Sequence, residues 1–399
     1  MSAPPHLPLE GVRVLDLTTF LSGPLVTRSL ADLGAEIIKI EPPAGDPTRG
    51  GTGMRAGQPP SPFWLALHRD RRSVVLDLKV PAAQAVLLEL VAASDVLVEN
   101  FRPGVMGRLG LPPERLREAN PRLVEVSITG FGPDGPVADQ VSIDGPIQAF
   151  AGLVDLAGSL GLARHPAPLT VADIAGASAA TQAVLAALFA RERGGTGCYI
   201  EVSLFEALLQ WLSLADRSGS LAPPVTLVVE GSDGAAFLVQ TPLHFRDRLL
   251  ELVGTVAGFA AFAADPRFAT VEGIRLYAED YSAGMRRAFA SKPRAEWLAA
   301  LQASGIPAAA VQSIDDALRH PQLVHRGAIA EVAVDGVADA RVLLGAVRFD
   351  GVRRSETARP PVLGEHNAEV LGGVLGYDDA RLAALADAGA FGPRAQTTP

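Results

Sequence analysis

Polar and apolar positions in the first half of the chain follow two alternating periods. Val12-Arg-Val-Leu-Asp-Leu17 is a short β-rich run, and Glu36-Ile-Ile-Lys-Ile-Glu41 is a second. Between them, Pro24 suits a first helical position and Gly34 a stop, so a βαβ unit is predicted. Ser73-Val-Val-Leu-Asp-Leu78, a helix from about 81 to 93, and Asp95-Val-Leu-Val98 make the next unit. Leu123-Val-Glu-Val-Ser127 adds a strand before a Gly/Pro-rich loop through Pro136. Strands alternating with helices predict an α/β fold whose mostly parallel sheet is covered on both faces.

From Asp173 to Arg193 the pattern becomes one long helix rich in alanine and leucine. Its small residues, Ala175, Gly176, Ala177, Ala179 and Ala180, allow close packing against another element. Residues 198–204 read as a strand and 205–214 as a helix. The Gly/Ser/Pro-rich stretch 218–234 reads as a domain linker. Helical patterns follow near 243–253, 275–290, 293–303 and 314–319, with a late strand at 345–349. Residues 393–399 are expected to fray.

The chain has 399 residues, which at roughly 150 per domain suggests two or three domains. Forty-eight per cent of its residues are hydrophobic and 20% charged, so general disorder is excluded. Thirty-five basic against 44 acidic residues give a net charge of −9, with no basic stripe to grip a nucleic-acid backbone. The lone cysteine, Cys198, excludes a disulfide framework or a multi-cysteine metal site, and no metal is expected. The first nine residues have no basic start ahead of an apolar stretch, and no apolar run approaches ~18 uninterrupted residues. A soluble cytoplasmic protein without export signal or membrane span is expected.

The first turn, Thr18-Thr-Phe-Leu-Ser-Gly-Pro24, has a single glycine where a dinucleotide fingerprint needs several, so that cofactor class is disfavoured. Arg49-Gly-Gly-Thr-Gly-Met54 lacks the lysine and hydroxyl of a phosphate loop and reads as a surface loop. His320 and His325 are not spaced as metal ligands on one helical face, and no nucleophile elbow is present. Cys198 reads as a structural thiol in an apolar strand. Two basic clusters remain: Arg69, Arg71 and Arg72, and the pair Arg102 and Arg108. Each is either a solvated face or an anion site for a phosphorylated ligand at strand C-termini. Asp173, at the start of the long helix, is either its N-cap or a carboxylate placed to attack an acyl carbon.

Together these segments resemble the class III (CaiB/BaiF) coenzyme A transferases. The resemblance rests on Gly11-Val-Arg-Val-Leu-Asp-Leu17, Gly23-Pro24, residues 30–41, Arg71-Arg-Ser-Val-Val-Leu-Asp-Leu-Lys79 and Asp95-Val-Leu-Val-Glu-Asn-Phe-Arg-Pro-Gly-Val105. Asn120-Pro-Arg-Leu123, Gly130-Phe-Gly-Pro-Asp-Gly-Pro136, Asp265-Pro-Arg-Phe-Ala-Thr270, Gly305-Ile-Pro-Ala308 and Leu363-Gly-Glu-His366 extend it nearly end to end. It implies an enzyme that moves CoA from an acyl-CoA to a free carboxylic acid, with Asp173 as covalent nucleophile. CoA is then a substrate, and no tightly bound cofactor is implied. Asn100, Phe101 and Arg108, with Phe20, Leu21 and Ser22 of the first turn, fall in the implied CoA-contact set. Arg71 matches a basic contact near the phosphates. The implied architecture is an interlocked homodimer. Each chain has a large domain with a mostly parallel, Rossmann-like sheet (1–217), a smaller α+β domain with linkers (218–330), and a segment returning to the large domain (331–399).

Departures from the family pattern narrow the expected chemistry. Racemases of the family place a histidine before an aspartate where this chain has Ile143-Asp144, which disfavours racemisation. Formyl-CoA:oxalate enzymes carry a glutamine where Leu21 stands, which disfavours oxalate. Pro42 replaces an arginine frequent after the second strand. The middle region is short, and Gly231-Ser-Asp-Gly234 reads as a remnant of a glycine-rich substrate loop.

Overall fold

The computed structural model describes residues 7–50, 61–160, 162–214, 226–240, 243–334, 337, 340–354 and 357–392. The first unit builds β1 (Arg13–Asp16), α1 (Ser22–Asp32), β2 (Glu36–Glu41), α2 (Pro62–His68), β3 (Arg72–Val75), α3 (Pro81–Ala92), β4 (Val96–Glu99), α4 (Val105–Arg108), α5 (Pro113–Ala119) and β5 (Val124–Thr129). It continues with α6 (Asp144–Phe150), the start of α7 (Leu153–Ser159), α8 (Val171–Glu192), β6 (Cys198–Ser203) and α9 (Leu204–Leu212). The sheet order is β3-β2-β1-β4-β5-β6, and every pair is parallel. Strand order therefore reverses between β1 and β4, and in open α/β sheets ligands bind outside the strand C-termini at that point.

Successive strand residues point to opposite faces, which divides the apolar positions between two cores. Val14, Val96, Val98 and Val126 pack with Val26 and Leu30 of α1 and Ala177 and Val184 of α8. Leu15, Ile38, Val74 and Leu97 pack with Leu87 and Leu90 of α3, Leu116 of α5, and Val370 and Leu371 near the C-terminus. Burial on both faces explains why these strands read as apolar runs rather than clean alternations.

The long alanine-rich helix packs as its composition predicts. Ala172, Ala175, Gly176, Ala177 and Ala180 are buried. A Cβ on Gly176 would lie 2.3 Å from Leu204 Cδ2, so glycine is what lets α8 and α9 approach. By length and mean hydropathy α8 could cross a membrane, although its apolar run is interrupted. In the fold it is a core helix laid against β5, β6, α1 and α9.

The described residues form two compact units. One holds those up to Asp155, Arg164–Ser213 and those from Gln322 onward; the other holds Leu156–Ala163 and those of Leu214–Pro321. The second unit has an antiparallel sheet of β7 (Thr226–Glu230), β8 (Ala236–Gln240) and β9 (Ala308–Ala310), in that order. Its core gathers Phe237, Tyr281, Phe289 and Trp297 with helices Arg246–Gly254, Ala278–Phe289 and Arg294–Ala303.

Several expectations are corrected. Helix α1 starts at Ser22, so Pro24 is its third residue rather than its first. The expected linker at 218–234 contains β7; residues 218–225 lie outside the described residues, as do 51–54 of the expected surface loop and the C-terminal 393–399. Gly231-Ser-Asp-Gly234 is the turn of the β7–β8 hairpin, and its Asp233 accepts the Arg294 N–H at 3.2 Å. The late strand lies at Arg341–Leu343 rather than 345–349.

Candidate active site

The first turn enters α1 through strained backbone. Phe20 has φ of 62°, a left-handed conformation that a bulky residue rarely adopts, and its side chain is exposed. Gly23 is obligatory, because a Cβ there would sit 2.3 Å from the Thr18 methyl carbon. Asn100, directly after β4, clamps the turn from across the switch point. Its Oδ1 accepts the Thr19 N–H at 2.8 Å, and its Nδ2 donates to Thr19 O at 2.8 Å and Ser22 Oγ at 3.4 Å. Glu99, buried beneath, accepts the Phe101 N–H at 2.7 Å, and burial pushes its carboxyl up to about 7.

Asp173 is the third residue of α8 and does not cap it. Thr170 stands at the cap without a side-chain bond, and capping comes from another helix. Asp144, first residue of α6, accepts the Ala172 N–H at 2.7 Å and the Asp173 N–H at 3.2 Å through Oδ1. Gln148 donates to the other Asp144 oxygen and to Leu169 O, and accepts the Ala167 N–H, which ties α6 to the segment leading into α8. With the N–H groups satisfied elsewhere, the Asp173 side chain is free for chemistry. Burial pushes its carboxyl up to about 7, the Asp144 charge adds to the shift, and a hydrogen bond from Ser22 opposes it.

These residues meet in one cavity of about 820 Å³. Its wall includes Phe20, Leu21, Ser22, Asn100, Phe101 and Asp173, so six of the eight residues expected at the site are brought together. A second cavity of about 260 Å³ lies at the ends of β1, β2 and β3 and shares Thr19, Phe101 and Val105 with the first. The two form a track along the strand C-termini. Two of the chain's three lysines, Lys39 and Lys79, line the smaller cavity together with Pro42. Lys39 is buried and paired with Asp46 at 3.1 Å, whereas Lys79 is exposed. Sequence reasoning missed Lys79, although its place just past β3 was a usable signal. Arg108 is exposed on α4 and lies outside both walls, beside Leu109 of the smaller one.

Arg71 is the residue the structure reassigns. Its side chain is fully buried, ion-paired with Asp16, and donates to Pro24 O at 2.6 Å and Leu67 O at 2.8 Å. Asp16 in turn accepts from Thr18 and Thr27; burial would raise its carboxyl, but Lys39, Arg71 and these bonds hold it low. Arg71 therefore holds the first turn from below and has no access to a phosphate. Its neighbours are also engaged: Arg69 with Asp32 and Asp70, Arg72 with Glu36 and Glu369. Cys198 is half-buried in β6 with its thiol pKa raised by burial, as suits a structural thiol.

The model of CoA-transferase family III matches residues 9–367. The chain belongs to CoA-transferase family III. It is 33% identical over 382 residues to an acetyl-CoA:oxalate CoA-transferase of Acetobacter aceti, covering 90% of this chain and 98% of that protein. It is 29% identical over 401 residues to the succinyl-CoA:glutarate CoA-transferase of Mus musculus, covering 95% and 89%. The crystal structure of a CaiB/BaiF family protein from Brucella suis superposes with a TM-score of 0.81 at 30% identity, covering 93% of this chain and all of that one. The protein is thus a CoA-transferase.

Proposed function

We propose that this family III CoA-transferase works through a covalent intermediate on Asp173. An oxygen of the Asp173 carboxylate attacks the thioester carbonyl, the C–S bond breaks, and CoA thiolate leaves a mixed anhydride. The thiolate then attacks the Asp173 carbonyl carbon, releasing the donor acid and leaving an aspartyl-CoA thioester. The acceptor carboxylate reverses both steps, so the carboxylate is regenerated with no net proton change. What carries this reading is the Asp173 side chain, released from helix capping by Asp144, lining the cavity and hydrogen-bonded by Ser22.

Surrounding groups have supporting roles. The first N–H groups of α1 lack partners within the helix, and Ser22 brings that positive end to the reacting carboxyl, where charge develops. The larger cavity takes the thioester and acyl group. The smaller takes the distal part of CoA, with Lys79 and Arg108 as cations toward its phosphates. Isomerisation is not favoured, because the cavity residue ahead of Asp144 is Ile143, which transfers no proton. We read the working enzyme as a cytoplasmic, interlocked homodimer; exposed Phe189 on α8 and Trp211 on α9 supply apolar surface for a partner.

Asp173→Ala should lower transfer by at least ~10³-fold, while acyl-CoA still binds within a fewfold of its wild-type affinity. Initial rates and calorimetric titration check this together. Appreciable turnover by the variant would end the reading.

A further inference from the structure

We propose that the acyl end of the larger cavity selects apolar monocarboxylic acyl groups, with Ile143 as a specificity-determining residue; this rests on the transferase reading above. Phe20, Phe63, Val141 and Ile143 all line that cavity and are 60%, 41%, 68% and 69% exposed. Single exposed hydrophobic side chains are ordinary, but four around one cavity form the kind of patch that marks an apolar ligand. Leu21, Ile128 and Leu204 extend the same wall.

The charges are arranged to match. Among the described residues, the charged side chains in the wall are Arg102, Asp144 and Asp173. Arg102 belongs to the turn after β4, between Phe101 and Val105, which also border the smaller cavity, and so lies toward the CoA end. At the other end, Gln140, Val141, Ser142 and Ile143 lead directly into Asp144. A second carboxylate on the acyl group would there meet apolar surface and two aspartates, and Arg102, the one cation among the described lining residues, stands toward the CoA end. An unpaired carboxylate in such surroundings is strongly disfavoured. An aliphatic chain instead covers Val141 and Ile143, which border the larger cavity alone.

The test compares acetyl-, butyryl- and succinyl-CoA as donors to isotopically labelled acetate, using the full-length protein. Butyryl-CoA should exceed acetyl-CoA in kcat/KM by about fifteenfold, at roughly fourfold for each of two buried methylenes. Succinyl-CoA, equal to butyryl-CoA in carbon count, should fall below both. Ile143→Arg, at an exposed position where folding is unaffected, should shift the butyryl-to-succinyl ratio toward succinyl by about tenfold. Succinyl-CoA equalling butyryl-CoA, or a ratio unmoved by Ile143→Arg, overturns the inference while leaving transfer intact. Failure of all three donors to label acetyl-CoA or release CoA overturns the transferase reading, and this inference with it.

Discussion

Two charged clusters flank the first turn and have opposite fates. Above it, at the start of α8, Asp173 is relieved of a structural duty because Asp144 satisfies the helix N–H groups across 28 residues of sequence. Below it, Arg71 is held through its two terminal nitrogens by Asp16 and two backbone carbonyls. Both residues sit near strand ends and both looked functional. The distinction lies in which hydrogen bonds each must make before a ligand arrives. A carboxylate whose neighbours cap for it can react, whereas a guanidinium that closes a buried network cannot also hold a phosphate.

Removing Arg71 gives the largest effect expected from this contrast. Arg71→Met leaves Asp16 buried without its closest partner, which should cost about 3–5 kcal/mol of stability, read by denaturant unfolding. A variant of unchanged stability with a raised KM for acyl-CoA would instead return Arg71 to the phosphate. Lys79→Met should do the reverse: KM for acyl-CoA rises about tenfold, while the exposed position leaves stability within ~0.5 kcal/mol. Equal KM values for variant and parent would remove Lys79 from the site.

The smallest effect concerns pH. The nucleophile must be ionised, so kcat/KM should rise with pH through a midpoint near 7 and level off about one pH unit above it. Asp144 raises the Asp173 pKa, so Asp144→Asn, which keeps the capping oxygen, should move the rise to lower pH by roughly 0.5–1 unit. Glu99 also titrates near 7 because of its burial, and Glu99→Gln separates the two: it should leave the rise in place. A rise that moves with Glu99 and not with Asp144 would break the assignment.

The six-stranded sheet was legible because its apolar runs are long and separated by helical periods; β2 spans Glu36–Glu41 as the pattern predicts. The small sheet was not. Thr226–Glu230 adjoins a Gly/Ser/Pro-rich stretch that masks it, and Ala308–Ala310 is a strand of alanines, whose pairing is fixed by tertiary contact rather than by propensity. Asp144-Gly-Pro opens α6 with residues that usually punctuate chains, so that helix was missed. Within the site, Asp173, Asn100 and the first turn were expected from the family resemblance and the strand-end rule, and they line one cavity. Burial is not written in local sequence, so Arg71 was misplaced. The capping role of Asp144 escaped because its partners are remote in the chain.

Trapping the intermediate tests the central claim most directly. The protein is mixed with a panel of acyl-CoAs and hydroxylamine, digested, and the peptide carrying Asp173 is weighed by mass spectrometry. The account predicts a hydroxamate on Asp173 that depends on the acyl-CoA, because hydroxylamine captures an activated carboxyl group. An unmodified Asp173 after every donor that turns over, or a hydroxamate on another carboxylate, would contradict it.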